Sequence, residues 1–220
     1  MNFRNFFYTN IENKIVHLQS ALSNFPPSDY LKYILQNKYS LETKTLNINN
    51  EKDIIDWISV INDSYDDANY DYHKGRDILT NHLFLIDTET FLIQHTSNIT
   101  VATISIGKYK DNCNVGGAFR LAVRKKFKNA GIGKVIITYA YAKLKERNII
   151  YGESLIASKR TASIMAHFKL GFIPQYNMKY ISYKKSQKNV NFIQKFRLRK
   201  RLRSLYKNYL QNLNEHFIQM

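Results

Sequence analysis

Apolar side chains in residues 1–40 recur at the spacing of one helix face. The face consists of Ile11, Ile15, Leu18 and Leu22. Two prolines then interrupt the pattern, and a second short helix is predicted over 30–37 with Ser28 or Asp29 as its N-cap. Residues 1–40 are therefore predicted to form an N-terminal helical extension.

Strand and helix patterns alternate along the following residues, 41–185. The predicted strands are 41–48, 90–95, 100–107, 118–123, 153–157 and 176–183. The predicted helices are 51–65, 74–83, 133–147 and 161–170. Asn50 is placed to cap the first of these helices, and Gly171 is placed to end the last. This order predicts an α/β or α+β domain built around a mixed sheet.

Residues 186–220 form a basic segment with eight Lys and Arg residues and one acid, Glu215. They carry one apolar stripe at helical spacing, formed by Leu198, Leu202, Leu205, Tyr209, Leu213 and Phe217. The stripe predicts an amphipathic helical tail over 192–217. Three roles stay open for it: packing on the domain or on a second subunit in a homodimer, binding an anionic membrane surface, and binding RNA or an acidic carrier protein.

Composition and charge narrow the class of protein. The chain has 220 residues with 44% hydrophobic content, which is enough for a core and excludes intrinsic disorder. Its 33 Lys and Arg against 17 Asp and Glu give a net charge of +16, which attracts polyanions. The single Cys113 cannot form an internal disulfide, and no Cys or His cluster has metal-ligand spacing. With no secretory signal or membrane span recognised, we expect a cytoplasmic protein without a metal site.

Residues 119–134 carry the clearest chemical pattern. An apolar strand leads into a loop containing Gly131 and Gly133, and a helix follows at once. Such a loop can point several backbone N–H groups at one anion, and the helix dipole adds to the attraction. Five nearby cations are Arg124, Lys125, Lys126, Lys128 and Lys134. The pattern predicts a pyrophosphate cradle; a tight turn with a solvated face is the alternative reading.

Two blocks resemble the GNAT acetyltransferase superfamily. KNAGIG, residues 128–133, resembles the acyl-CoA motif Gln/Arg-x-x-Gly-x-Gly/Ala, with Lys128 in place of Gln or Arg. Residues 160–172, RTASIMAHFKLGF, resemble a second family block with the consensus N-x-x-A-x-x-L-Y-E-K-L-G-F. The resemblance covers residues 41–185. It implies a mixed, mostly antiparallel central sheet flanked by helices, between the N-terminal extension and the basic tail.

The resemblance also implies an N-acyltransferase that uses acetyl-CoA or another acyl-CoA. The strand over 121–123 would part from that over 153–157 to admit pantetheine, and a main-chain N–H near Ala122 or Val123 would face the thioester oxygen. The implied cofactor-binding residues are Leu121, Ala122, Val123, Lys128, Asn129, Ala130, Gly131, Ile132, Gly133, Lys134, Arg160 and Ser163.

Two family positions differ here. The Asn that often contacts the cofactor is Arg160, and the Tyr that often acts as general acid is His167. His167 is therefore the predicted acid, with a structural histidine as the alternative. Glu153 and His73 are both candidates for the general base, and the sequence does not decide between them.

The resemblance places the amine substrate against the first two helices of the domain, residues 51–83, where the chain is most acidic. Carboxylates beside aromatic rings suit a cationic amine. The predicted substrate-binding residues are Asp66, Asp67, Asp71 and Tyr70. A solvated acidic loop is the alternative reading of this stretch.

Acetyl transfer to a primary amine is the predicted activity. Alternatives left open are an acyl-carrier protein or long acyl-CoA as donor, an aminoacyl-tRNA as acceptor, and a degenerate fold that only binds.

Overall fold

The computed structural model describes residues 15–82, 85–157 and 160–174. These residues divide into two units. The larger unit comprises 21–82 and 85–153, and the smaller comprises 15–20, 154–157 and 160–174. One boundary between the units lies after residue 20, near the end of the first described strand, and the other lies after residue 153, within the sixth strand. Each of these two strands therefore contributes residues to both units.

The described chain alternates strands and helices. The strands are β1 (Ile15–Ala21), β2 (Leu41–Thr45), β3 (Leu85–His95), β4 (Thr100–Tyr109), β5 (Asn112–Val123), β6 (Tyr151–Ala157) and β7 (Ile173–Pro174). The α-helices are α1 (Ser28–Tyr39), α2 (Glu51–Ser64), α3 (Tyr72–Thr80), α4 (Ile132–Glu146) and α5 (Thr161–Phe168). A 3-10 turn covers Lys125–Phe127.

A mixed sheet forms the centre of the larger unit. Strands β2, β3, β4 and β5 are neighbours in that order and pair antiparallel. The start of β6 then pairs parallel to β5, from Val115↔Tyr151 to Gly117↔Glu153. Only this last pairing is parallel among the described strands of the unit. The predicted fold class, a mostly antiparallel mixed sheet flanked by helices, is confirmed.

Helices α2 and α4 cover opposite faces of this sheet. The ring of Phe91 on β3 contacts that of Tyr139 on α4, with centroids 5.3 Å apart. The next residue, Leu92, belongs instead to the cluster around Trp57 of α2. Because successive strand residues point to opposite faces, the two helices lie on different sides. This explains why β4 is buried along most of its length.

The predicted first helix is wrong where the structure describes it. Residues Ile15–Ala21 form β1, and Leu18 and Gln19 pair antiparallel with β7 in the smaller unit. Leu18 and Leu22 are both fully buried, and their even spacing fits one face of a strand as well as a helix. The partner strand lies far away in sequence, so the local pattern carried no sign of it. Ile11 lies outside the described residues.

The predicted second helix is confirmed as the longer α1, but its predicted cap is wrong. The helix begins at Ser28 directly after Pro27, with no side-chain cap. The Ser28 N–H donates instead to Glu146 Oε1 at 3.1 Å, so a carboxylate from the end of α4 satisfies it. The ammonium group of the adjacent Lys145 donates hydrogen bonds to the carbonyls of Ser23 and Phe25. A distant residue thus performs the task that the sequence assigned to a local one.

The other predicted elements up to Gly171 are confirmed with boundary shifts. Asn50 caps α2 by accepting from the Lys52 N–H. Strands β3, β4 and β5 are longer than predicted, whereas β2 is shorter. The predicted strand 176–183 and the tail 186–220 lie outside the described residues. Among the residues described, no helix combines the length and apolar character needed to cross a membrane.

Candidate functional site

The loop between β5 and α4 takes two left-handed backbone conformations. Asn129 has φ 66° and Gly131 has φ 81°. Gly131 is the residue immediately before α4, and it needs the freedom of glycine because other side chains rarely adopt this region. The 3-10 turn at Lys125–Phe127 precedes them. The loop therefore folds back tightly before the helix begins.

A run of backbone N–H groups at this loop has no hydrogen-bond acceptor among the described contacts. The N–H groups of Asn129, Ala130 and Gly131 donate to no described carbonyl. Those of Ile132 and Gly133 open α4 and lie before the first intrahelical bonds. Five consecutive donors without a described acceptor at the positive end of a 15-residue helix are an arrangement that suits an anion. The structure thus brings together the predicted residues 129–133.

Three of the five predicted cations hold the loop in place. Arg124 donates to the Thr100 carbonyl at 2.6 Å and to Ser59 Oγ at 2.8 Å. Lys128 donates to the Ser64 carbonyl at 2.9 Å. Lys125, the third, forms an ion pair with Asp66 at 2.7 Å. These three side chains fasten the loop to neighbouring elements.

Lys126 and Lys134 are the other two predicted cations. The Lys126 ammonium lies 4.9 Å from the Phe127 ring centroid. Among the described residues, neither Lys126 nor Lys134 has an ion pair or a side-chain hydrogen bond. Of the five predicted cations, three thus have partners within the protein and two have none described, and the pyrophosphate cradle itself stays a prediction.

A β-bulge precedes the loop in β5. Thr103 pairs with Ala122 and Ser105 with Phe119, so two residues of β5, Arg120 and Leu121, oppose the single Ile104. Arg120 has the left-handed φ of 53°. Tyr65, which follows α2, donates its hydroxyl hydrogen to the Leu121 carbonyl. Beyond the bulge, Ala122 and Val123 pair again with Thr103 and Ala102 of β4, so the end of β5 stays in the sheet.

The described pairing between β5 and β6 ends at Gly117↔Glu153. Beyond this pair β5 continues for six residues to Val123. The Glu153 carbonyl accepts from Tyr141 Oη at 2.8 Å. Burial, and then the charge of Glu153, raises the pKa of Tyr109. The carboxyl group of Glu153 therefore lies near Tyr109. Its role as general base stays a prediction, and so does the opening between β5 and β6 for pantetheine.

Three of the predicted substrate-binding residues have structural partners. Asp71 caps α3 by accepting from the Lys74 N–H at 2.8 Å. Asp66 pairs with Lys125, whose hydrogen bond lowers the pKa of the Asp66 carboxyl. The Tyr70 ring stacks on Trp57 at 6.1 Å. The fourth, Asp67, is exposed. The second candidate base, His73, is exposed and contacts the Tyr72 ring.

His167, the predicted acid, lies in the smaller unit and is 4% exposed. Its Nδ1 lies 2.8 Å from the Ser163 carbonyl, and its ring meets Phe172 edge-on. Burial lowers its pKa to about 4, so the imidazole is neutral at pH 7. Because Nδ1 carries the hydrogen toward Ser163, the other nitrogen has none to give. These surroundings favour the structural alternative. Arg160 sits at the N-cap position of the same helix, α5.

Sequence reasoning missed Arg120, Trp57 and His82. Arg120 Nη1 and Trp57 Nε1 are buried and have no described hydrogen-bond partner. The His82 ring contacts the Phe119 ring edge-on, with centroids 5.7 Å apart. No sequence signal could have found Arg120, because its conformation depends on the bulge in β5. The alternation of polar and apolar residues along the strand does not reveal that bulge.

Other parts of the described chain offer less. A cavity of about 550 Å³ lined by Thr45, Thr88, Lys108 and Arg147 shares no residue with the loop. Its charges are largely paired with each other, as Lys108 with Asp87 and Arg147 with Glu89. Within the residues that the structure describes, no group of His, Cys, Asp and Glu could hold a metal ion.

Solved acetyltransferase structures have the same arrangement of strands and helices. No protein-family model matches the chain, and no curated protein matches it in sequence. A GCN5-related N-acetyltransferase from Sphaerobacter thermophilus superposes with a TM-score of 0.54 at 14% identity, covering 73% of this chain and 48% of that one. The glucosamine N-acetyltransferase region of a fungal multi-domain GH3 β-N-acetylglucosaminidase gives 0.52 at 11% identity, covering 74% and 20%.

A conserved protein of unknown function from Staphylococcus epidermidis gives a TM-score of 0.50 at 18% identity, covering 73% of this chain and 57% of that one. The chain spans about half the length of the two bacterial proteins. Identities this low establish the fold and leave substrates open. The chain has the fold of the GCN5-related N-acetyltransferases, the GNAT superfamily that its two sequence blocks resemble.

Proposed function

We propose that the protein is an N-acyltransferase that moves an acetyl group from acetyl-CoA to a primary amine. The observation that carries the proposal is the main-chain cradle at residues 129–133, directly after the bulged strand β5. Five N–H groups without a described acceptor and two lysines without a described partner complement the negative charge of a pyrophosphate. Acetyl-CoA carries a pyrophosphate in the part of the molecule that is remote from its reactive thioester.

The reaction needs little covalent chemistry from the protein. Acetyl-CoA supplies an activated acyl group: the amine nitrogen bonds to the thioester carbon, the carbon–sulfur bond breaks to leave a thiolate, and the amine loses a proton. We assign a backbone N–H near Ala122 or Val123 to the developing oxyanion, a contribution of roughly 3–4 kcal/mol for such donors. The bulge and the Tyr65 hydrogen bond hold this stretch of β5.

The amine must lose its proton before it attacks. A primary amine with a pKa of about 10.4 is neutral in about one molecule in 2,500 at pH 7, a cost of roughly 4.6 kcal/mol. We assign Glu153 as the group that accepts this proton, directly or through water. We give His167 a packing role, since its buried neutral ring has no free hydrogen to offer the thiolate.

One observation favours a second candidate, a protein that binds acyl-CoA without turnover. The residue at the position of the family's acid, His167, is buried and hydrogen-bonded inside its own helix. Acetyl transfer is the better supported of the two because thiols are acidic enough, with a pKa of about 8.5 for a Cys side chain, that a thiolate can leave without an acid.

The test is thiol release from acetyl-CoA in the presence of a panel of primary amines, with the acetylated product identified by mass. Amine-dependent release that Glu153→Gln slows at least about tenfold supports the proposal. Acetyl-CoA binding with no release for any amine supports the binding protein instead.

A further inference from the structure

Arg120 is a cation without a described counter-ion. It lies in the bulge of β5, and its Nη1 is buried and has no hydrogen-bond partner among the described residues. Its guanidinium lies 5.2 Å from the Phe119 ring centroid, which supplies an apolar face. Burial lowers the pKa of Arg120 to about 10, so the side chain stays charged at neutral pH.

A second unpaired donor lies in the same region. Trp57 Nε1 is buried and has no described acceptor. The Tyr70 ring stacks on Trp57, and the Tyr70 phenol interacts electrostatically with Arg120. The His82 ring also contacts Phe119, and burial and then the charge of Arg120 lower the pKa of His82. The region therefore holds two hydrogen-bond donors and no described carboxylate to meet them.

Arg120 as a whole is half-buried, but leaving the buried end of its guanidinium unpaired is costly, so an anion is expected beside it. The ion pairs described in the chain join other partners, among them Asp66 with Lys125 and Asp53 with Lys44. Outside the described residues the only acidic side chains in the sequence are Glu12 and Glu215. The chain thus has few candidates of its own, and a ligand is the simplest source of the anion.

We propose that Arg120 binds a carboxylate of the amine substrate, so that the substrate is an amino acid or another amine that bears a carboxylate. The planar guanidinium fork matches a carboxylate, and the inference rests on the proposed function. Arg120 lies two residues before Ala122, so their Cα atoms are at most about 7 Å apart. A small amino acid can therefore reach both Arg120 and the backbone assigned to the oxyanion.

The experiment compares amino acids with their amides, which keep the amine and lose the negative charge. Thiol release is measured with the full-length wild type, Arg120→Met and the exposed Arg76→Met as the matched control. We expect the wild type and Arg76→Met to prefer the acids by about 10- to 100-fold in kcat/KM, mainly through KM. Arg120→Met should lose this preference, and Arg120→Lys should restore part of it.

Binding is measured as well, so that the result does not depend on turnover alone. N-acetyl amino acids and their amides are titrated by calorimetry into each protein in the presence of CoA, and acetyl-CoA is titrated separately. Preferential binding of the acids that Arg120→Met abolishes supports the inference. Equal binding of acids and amides by the wild type, with normal acetyl-CoA affinity, overturns the inference and leaves the proposed function standing.

Two further outcomes are informative. If acetyl-CoA itself does not bind, the proposed function fails, and the inference about its substrate fails with it. If Glu12→Gln or Glu215→Gln strengthens carboxylate binding about tenfold or more, the chain's own carboxylate occupies Arg120, and the inference is overturned.

Discussion

His167 lies among apolar side chains of its own unit, where Phe172 meets its ring and Ser163 holds its Nδ1. A histidine at the surface titrates near 6.5, whereas burial lowers the pKa of this one to about 4. Between these two pH values the His167 imidazole is protonated in the unfolded chain and neutral in the folded chain. The neutral ring therefore stabilises the fold above about pH 6.5, and this contribution is lost as the pH falls toward 4.

We predict that replacing His167 with Leu flattens the acid side of the stability profile. The free energy of unfolding, measured by urea denaturation, should fall by about 2 kcal/mol more in the wild type than in His167→Leu between pH 7 and pH 5. Parallel profiles would contradict the burial of a neutral imidazole. A 100-fold or greater loss of kcat in a folded His167→Leu protein would return the residue to catalysis.

Asp71 offers a clean separation of structure from binding, because Asn caps helices as well as Asp does. If Asp71 serves only as the cap of α3, Asp71→Asn should leave both stability and amine KM unchanged. Asp71→Ala should cost about 1 kcal/mol of stability, measured by urea denaturation. A tenfold rise in amine KM for Asp71→Asn would show that its charge binds substrate, as the sequence suggested.

Among the elements, those with strong local patterns were predictable. The apolar spacing in 51–65 and the cap at Asn50 are local properties, and α2 formed there. β1 was mistaken for a helix because its pairing with β7 is not local. The bulge of β5 was missed for a similar reason, since it depends on how β4 and β5 align around Ile104. Residue types predicted a phosphate-binding loop at 128–134, but only the fold shows which of its cations already have partners within the protein.

At the N-terminus of α4 we predict unequal roles for the cations. Lys134→Gln should weaken acetyl-CoA binding about three- to tenfold and reduce its dependence on salt, because its charge is free to meet a phosphate. Arg124→Gln should instead cost about 1–3 kcal/mol of stability, since Arg124 ties the loop to Thr100 and Ser59. Calorimetry at two salt concentrations and urea denaturation check both. The reverse pattern would contradict this assignment of roles.

At the scale of the whole molecule, proteins with very different sequences share the fold of this chain. Structures with TM-scores of 0.50 to 0.54 share 11–18% of their residues with this chain. The fold is therefore compatible with very different sequences, and the substrate proposed for this chain rests on individual residues such as Arg120. The net charge of +16 is a further property of this chain, and part of it lies in residues 186–220.

We predict that the basic tail acts separately from acetyl-CoA binding. Replacing Arg197, Arg199, Arg201 and Arg203 with Gln in the full-length chain removes four charges of the tail. Acetyl-CoA affinity should stay within about twofold, because no predicted cradle residue is altered. Retention on heparin should fall to a lower salt concentration. A large loss of acetyl-CoA affinity would show that the tail contributes to the cradle.

The central claim is that the loop before α4 binds acetyl-CoA. Its most direct test is calorimetric titration of acetyl-CoA into the wild type, Gly131→Asp and Gly171→Asp. Gly131 and Gly171 have nearly the same left-handed φ, 81° and 85°, so both variants carry similar backbone strain and the same charge. We expect saturable binding by the wild type and Gly171→Asp and at least a 100-fold loss in Gly131→Asp. Wild-type affinity in Gly131→Asp, or no binding by the wild type, would contradict the claim.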